Sequence, residues 1–275
     1  MTFYQVANTS RGEVFTPLPD SASRWTGSHV RGPAITSLLA RAVERAVPEE
    51  ARLLPARSTF DLHSQVPMTA TQVRTRVLKQ GRTLWVVEAE MYIGDDSSER
   101  VVARARVALA APNGGDVAAE TPLSVWSTPL PPGCVPPSND LLSVSEQGRL
   151  YRAEHTEWSG TRAGHQNADQ HHVWYFDVPI IEGETPTPYQ RAARISDLGN
   201  FVVNFGAEGL AYINADVTLS LARLPAAGGV GVTSQLRTAN AGVSVGTALV
   251  FDAEGMCGMS TVTAVRHTKT QLSYS

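Results

Sequence analysis

One hydropathy pattern occurs twice along the 275 residues, and this repetition constrains the fold more than any single motif. The first copy opens at residues 30–44. There Val30, Ile35, Leu38, Leu39, Ala42 and Val43 keep helical spacing, and Gly32-Pro33 suits a helix start. Past Pro48 the period changes to two. Phe60, Leu62 and Val66 fall on one parity, and Trp85, Val87, Ala89, Met91 and Ile93 alternate. Val101, Ala103, Ala105, Val107 and Leu109 do so again, with Arg104 and Arg106 pointing the other way. Such alternation marks antiparallel strands with one buried face. Gly81 and residues 94–97 supply turns between them. The second copy predicts a helix over 188–203, with Ala192, Ile195, Leu198 and Val202 as its apolar stripe. Strands are predicted over 213–221, 230–236, 243–251 and 256–265, with turns at 225–229, 240–242 and 252–255. A helix followed by four long antiparallel strands therefore occurs twice, in units of roughly 80 residues.

Between the copies, residues 112–145 are rich in Pro, Gly and Ser and lack periodicity, which reads as a linker crossing the surface. Strands over 149–158 and 173–180, around a polar loop at 159–170, open the second copy. The chain is accordingly expected to divide into an N-terminal unit at 1–112, a linker at 113–145 and a C-terminal unit at 146–275. With 42% hydrophobic and 18% charged residues it can fill both cores. A net charge of −3 offers no basic excess for a phosphate backbone, so nucleic acid is not an expected partner. No apolar run reaches the roughly 18 to 20 residues of a membrane span. The first residues show no basic region followed by an apolar stretch, and the two cysteines, Cys134 and Cys257, make no disulfide framework. A cytoplasmic location is expected.

Four short stretches carry a family resemblance: residues 25–32 (WTGSHVRG), 195–198 (ISDL), 214–218 (NADVT) leading to Arg223, and 260–263 (STVT). Together with the order of elements, they resemble the double hot-dog acyl-CoA thioesterases of the thioesterase II type, over most of the chain outside the linker. The resemblance implies an α+β tandem hot-dog. Each half would be a long helix wrapped by a curved antiparallel sheet, the two halves forming a pseudo-dimer with one continuous sheet that covers two edge strands. Such a unit can pair further into a homo-oligomer. The implied activity is hydrolysis of a fatty acyl-CoA to free acid and coenzyme A. The partner is an acyl-CoA or acyl-carrier thioester, with no cofactor beyond the coenzyme A of the substrate itself.

In that family an aspartate on the second helix and two polar side chains on later strands orient a water. Matched position by position, these fall on Asp197, Asn214 and Thr263; the aspartate is kept, while the family's threonine and glutamine are Asn214 and Thr263 here. Asn and Thr still hydrogen-bond a water, with different reach. Asp197 would be the base or the attacking group, and backbone N–H groups near Gly32 would receive the oxyanion. A thiol of pKa about 8.5 leaves without strong acid help, so one carboxylate suffices. The plain alternative for Asp197 is a helix-surface ion pair with Arg194, three residues earlier. For Asn214 and Thr263 it is an ordinary polar strand position.

Other motifs carry less. Gly242-Val243-Ser244-Val245-Gly246 matches a nucleophile elbow, but an alternating strand continues past it where a helix is required. His165, Asp169, His171 and His172 fit metal-ligand spacing loosely and read as a polar loop, so no metal is expected. Gly228-Gly229-Val230-Gly231 reads as a turn, and Glu88 and Glu90 as a solvated strand face. Two rival functions stand beside the hydrolase. One is acyl-CoA binding without turnover; the other is an enoyl-CoA hydratase, disfavoured because no His follows Asp197 nearby.

Overall fold

The computed structural model describes residues 1–94, 98–111, 130, 134–267 and 271–274. Residues 95–97 of the expected turn, and 112–129 and 131–133 of the expected linker, lie outside the described residues. The N-terminal half contains a hairpin, β1 (Tyr4–Thr9) and β2 (Gly12–Pro17), then α1 (Gly32–Arg45). Strands β3 (Leu54–Asp61), β4 (Gln72–Gln80), β5 (Leu84–Ile93) and β6 (Arg100–Ala110) follow. The C-terminal half opens with β7 (Arg149–Ala153) and β8 (His171–Tyr175), continues with α2 (Pro188–Asp197) and α3 (Gly199–Asn204), and adds a short ladder of β9 (Phe205–Gly206) and β10 (Gly209–Leu210). It ends in β11 (Tyr212–Leu221), β12 (Val230–Asn240), β13 (Val243–Asp252) and β14 (Gly255–Arg266).

Ten strands form one antiparallel sheet in the order β4-β5-β6-β3-β11-β14-β13-β12-β8-β7. The halves join where β3 pairs with β11, from Asp61 opposite Asp216 to Arg57 opposite Ser220. Each half thus covers an edge strand of the other. Helix α1 packs on β4, β5 and β6, α2 on β11 to β14, and the two helices pack against each other. Leu38, Leu39 and Val43 of α1 and Tyr189, Ala192 and Ile195 of α2 are buried against Val87, Ala105, Val107, Val217, Val250 and Val262 of the sheet.

Several sequence expectations shift by identifiable physics. The helix expected over 188–203 is broken between α2 and α3. Ser260 Oγ takes the carbonyl of Ser196 (2.9 Å), and Gly199 lies so close to β14 that a Cβ there would sit 3.1 Å from Ser260 Oγ. The strand expected over 173–180 stops at Tyr175. The carbonyls of Phe176 and Val178 are claimed instead by the Arg194 guanidinium, at 2.9 and 2.6 Å. The strand expected over 149–158 ends at Ala153, and the chain doubles back so that Tyr151 bridges Ser159. In β6, Val102 is buried beside Val101 because the register slips between Met91 and Tyr92 of its partner, inserting an extra residue. The β1–β2 hairpin was not expected; Tyr4 and Phe15 anchor it in the core, and Phe15 exchanges backbone hydrogen bonds with Thr71. The described end of the expected linker is not a free crossing, because Leu130, Cys134 and Leu141 pack against Leu150, Trp174 and Phe251.

Glu88 is corrected too. It is buried beneath Arg76 and Arg106, each 2.9 Å away, so that face of β5 is an ion-pair ladder instead of a plain solvated surface. Gly242 lies in the β12–β13 turn with φ 83°, and an added Cβ at Gly246 would overlap the side chain of Val203 on α3. Ser244 between them is buried and donates to Asn204 (2.6 Å). The segment that mimics a nucleophile elbow is therefore a hairpin turn leading into a strand crowded by a helix. Among the described residues, no helix is long and apolar enough to cross a membrane.

Candidate active site

The break after α2 sets Asp197 at the last turn of that helix, facing the first turn of α1. Contact between the two helices is close. A Cβ added to Gly32 would overlap the Asp197 carboxyl group, both oxygens included. Glycine is required here for the approach, not for backbone conformation. Arg194 does not pair with Asp197, since its charged end is bound to the carbonyls of Phe176 and Val178. Asp197 is buried, and Asn214 Nδ2 donates to its Oδ1 at 2.6 Å. Burial pushes the Asp197 carboxyl up to about 6, against the opposing pull of the Asn214 hydrogen bond and the nearby Arg31 charge.

Asn214 reaches Asp197 because of a β-bulge. On β11, Asn214 pairs with Ala264 and Asp216 with Thr263, so Ala215 is the inserted residue. Ala264 is buried and opposite Ser244, whose hydroxyl meets α3, so Asn214 and Ala264 face the helices. Thr263 has the other parity. Its cross-strand neighbours are Asp216 and the exposed Val245, and it does not line the cavity that contains Asp197, Asn214 and Gly32. Of the four residues singled out from sequence, three converge and Thr263 faces the opposite side of the sheet.

The cavity has a volume of about 380 Å³ and lies between the halves. Leu62, Val66, Leu198, Phe201 and Leu272 give it an apolar wall, and Arg24, Arg31, Arg149 and Arg162 a cationic one. Arg162 pairs with Glu146 (2.9 Å) and donates to Tyr151 Oη (2.6 Å); Arg24 also pairs with Glu146. Arg31 and Arg149 share the side-chain oxygen of Gln147, at 2.6 and 2.9 Å. Burial and the neighbouring Arg149 lower Arg31 to about 10. These arginines were missed as a group. The signal available was Arg149 within the otherwise apolar strand of Leu150 and Tyr151, and Arg31 inside the motif at 25–32. His29 also lines the cavity, whereas His165 and His171 lie elsewhere: the His165 ring is held between Thr156 and Ser159, and His171 bonds the His165 carbonyl.

Two family models cover most of the chain: the acyl-CoA thioesterase N-terminal domain matches residues 21–110, and the acyl-CoA thioesterase C-terminal domain matches residues 131–265. The chain belongs to the acyl-CoA thioesterase family. It is thus an acyl-CoA thioester hydrolase by family, and its sheet is that of a double hot-dog. Among solved structures, this thioesterase is similar to a TesB protein of Mycobacterium avium subsp. paratuberculosis, with a TM-score of 0.64 and 14% identity over 93% of this chain and 92% of that one. An acyl-CoA thioesterase II, TesB2, of Mycobacterium marinum gives 0.60 and 13% over 86% and 90%. A hot-dog protein of Alicyclobacillus acidocaldarius gives 0.59 and 12% over 96% of both chains. At these identities the likeness is one of fold. A comparison with curated proteins gives no match.

Proposed function

We propose that this thioesterase hydrolyses fatty acyl-CoA through a water activated by Asp197. The observation that carries this reading is a buried carboxyl held against the N-terminal turn of α1, with Oδ1 bonded to Asn214, in a residue that lines the cavity. The two halves work as a pseudo-dimer, α2 supplying the carboxylate and α1 the helix terminus. Asp197 Oδ2 takes a proton from water as the water oxygen bonds to the thioester carbon. The carbonyl oxygen becomes an oxyanion beside the Gly32 N–H, one of the first-turn donors that a helix leaves without an intrahelical partner. Collapse of the tetrahedral intermediate breaks the C–S bond and releases coenzyme A as a thiolate, which needs no strong acid. Asn214 fixes the orientation of the carboxylate. The apolar wall at Leu62, Val66, Phe201 and Leu272 accepts the acyl chain. Cys134 and Cys257, both buried free thiols, fit a reducing cytoplasm.

Binding without turnover is the competing reading, and it draws on the outward position of Thr263, which leaves one polar position of the family trio unfilled. Thiol release from saturated acyl-CoAs of increasing chain length separates the two. Hydrolysis is expected, with kcat/KM rising and then falling as the chain outgrows the cavity. Saturable binding of the same acyl-CoAs with no thiol released at any length would replace the hydrolase by a binder.

A further inference from the structure

Two of the four arginines on the cationic wall have no anionic partner among the described residues. Arg31 and Arg149 are 7% and 4% exposed, and neither forms an ion pair among the described residues. Their shared acceptor is a neutral amide oxygen, that of Gln147. Arg149 otherwise donates to the Glu146 carbonyl, at 3.4 Å, and lies over the Tyr175 ring at 5.9 Å. Nε and Nη2 of Arg31 are buried with no hydrogen-bond partner among the described residues, and the guanidinium lies over the Phe3 ring at 4.7 Å. Asp20, the nearby carboxylate, is reached only through Gln147 (3.2 Å) and is also held by the Thr2 N–H. Glu146 is already committed to Arg24 and Arg162. A buried guanidinium left without a counter-ion is costly, and its planar fork matches a carboxylate with two parallel hydrogen bonds.

Resting on the hydrolase reading above, we propose that Arg31 and Arg149 recognise a carboxylate carried by the acyl group, so that the preferred substrates are dicarboxylic acyl thioesters. Location decides between this anion and the phosphates of coenzyme A. Arg31 directly precedes Gly32, against which the Asp197 carboxyl lies, and its charge acts on Asp197. The pantetheine arm, a long neutral chain with two amides, keeps the nearest phosphate well away from the thioester carbon. A cavity of about 380 Å³ is at the small end for a drug-sized ligand and has no room for the nucleotide. The anion that reaches Arg31 while the carbonyl sits at Asp197 is therefore on the acyl side. The apolar wall carries the intervening methylenes.

The test compares pairs of equal chain length: butyryl- with succinyl-CoA, hexanoyl- with adipyl-CoA, octanoyl- with suberyl-CoA. In the wild type, kcat/KM should favour the dicarboxylyl member by ~10- to 100-fold for at least one pair, the range of a charge-assisted hydrogen-bonded contact. Arg31→Met and Arg149→Met should each collapse that ratio towards one. A wild-type preference for the plain acyl group in every pair overturns the proposal. So does a dicarboxylyl preference that survives both variants, or a ratio left unchanged because both members slow alike, as for an arginine that only steadies the oxyanion. Thioesters of N-acetylcysteamine, which lack phosphate, separate the sources: a defect in Arg31→Met seen with hexanoyl-CoA but absent with the hexanoyl N-acetylcysteamine thioester would assign the pair to a phosphate. Turnover is not required. Adipate should raise the melting temperature of the wild type more than hexanoate does, and this difference should vanish in Arg31→Met. Lack of turnover with that difference present would sink the hydrolase reading alone; equal shifts by adipate and hexanoate would sink the carboxylate site.

Discussion

Asp197→Asn is expected to lower kcat by at least ~10²- to 10⁴-fold, the usual contribution of a positioned base, while making the folded protein more stable at neutral pH. The two effects share one cause. Asp197 is buried and its carboxyl is pushed up to about 6 from an ordinary value of 3.8. Between these values the folded state holds a proton that the unfolded chain has released, so wild-type stability falls as pH rises through this window. Above about pH 6 the full cost of an ionised buried carboxylate is present. Two pH units correspond to about 3 kcal/mol, an upper bound on what the amide removes. Asn retains an oxygen to accept the 2.6 Å bond from Asn214 Nδ2 and carries no charge. Melting curves at pH 4 and pH 7.5 should therefore show little difference between the proteins at the lower pH and a more stable variant at the higher. A variant that is inactive and also less stable at pH 7.5 would make Asp197 a structural residue.

Gly32→Ala is expected to reduce kcat by about a hundredfold, the scale of a reacting group displaced by an ångström, and to leave the fold intact. Gly32 opens α1 with Pro33 behind it and has no left-handed backbone that would exclude alanine. Alanine is also the better helix former. The obstacle is the Asp197 carboxyl, which an added Cβ would overlap. Because Asp197 is bonded to Asn214 and enclosed by buried side chains, it can yield only by turning away from the helix terminus. Steady-state kinetics beside a melting curve checks this: a cooperative melt near that of wild type with depressed kcat is the expected pair. Wild-type kcat would show that the contact between α1 and Asp197 has no part in the reaction.

How far the sequence discloses this molecule depends on which interactions are local. The alternation of Trp85 to Ile93, the stripe from Ile35 to Val43 and the repetition of both patterns are local signals, and strands and helices follow them. Breaks in those elements are set by distant partners: Arg194 takes the carbonyls after β8, and Ser260 takes the last turn of α2. The candidate site divides the same way. Asp197 and Gly32 were found by motif, and the helix packing brings them into contact. Thr263 is grouped with Asn214 by matching to the family's polar trio, but the bulge at Ala215 changes the parity on one side of the pairing only. Nothing in the sequence around Asn214 marks that insertion. Arg31 and Arg149 escape a reading of the sequence because their significance lies in burial without an ion-pair partner among the described residues, which only the assembled cavity reveals.

If the Asp197 carboxylate is the base, its ionisation governs the pH dependence of kcat/KM for the free enzyme. An acyl N-acetylcysteamine thioester suits the measurement because it has no group that titrates between pH 4.5 and 8. The rate should rise to a plateau through an inflection near pH 6, the value to which burial pushes Asp197. The same limb should persist in His29→Gln, which removes the histidine lining the cavity. A flat profile over that range, or a limb that disappears with His29, would contradict the assignment of Asp197.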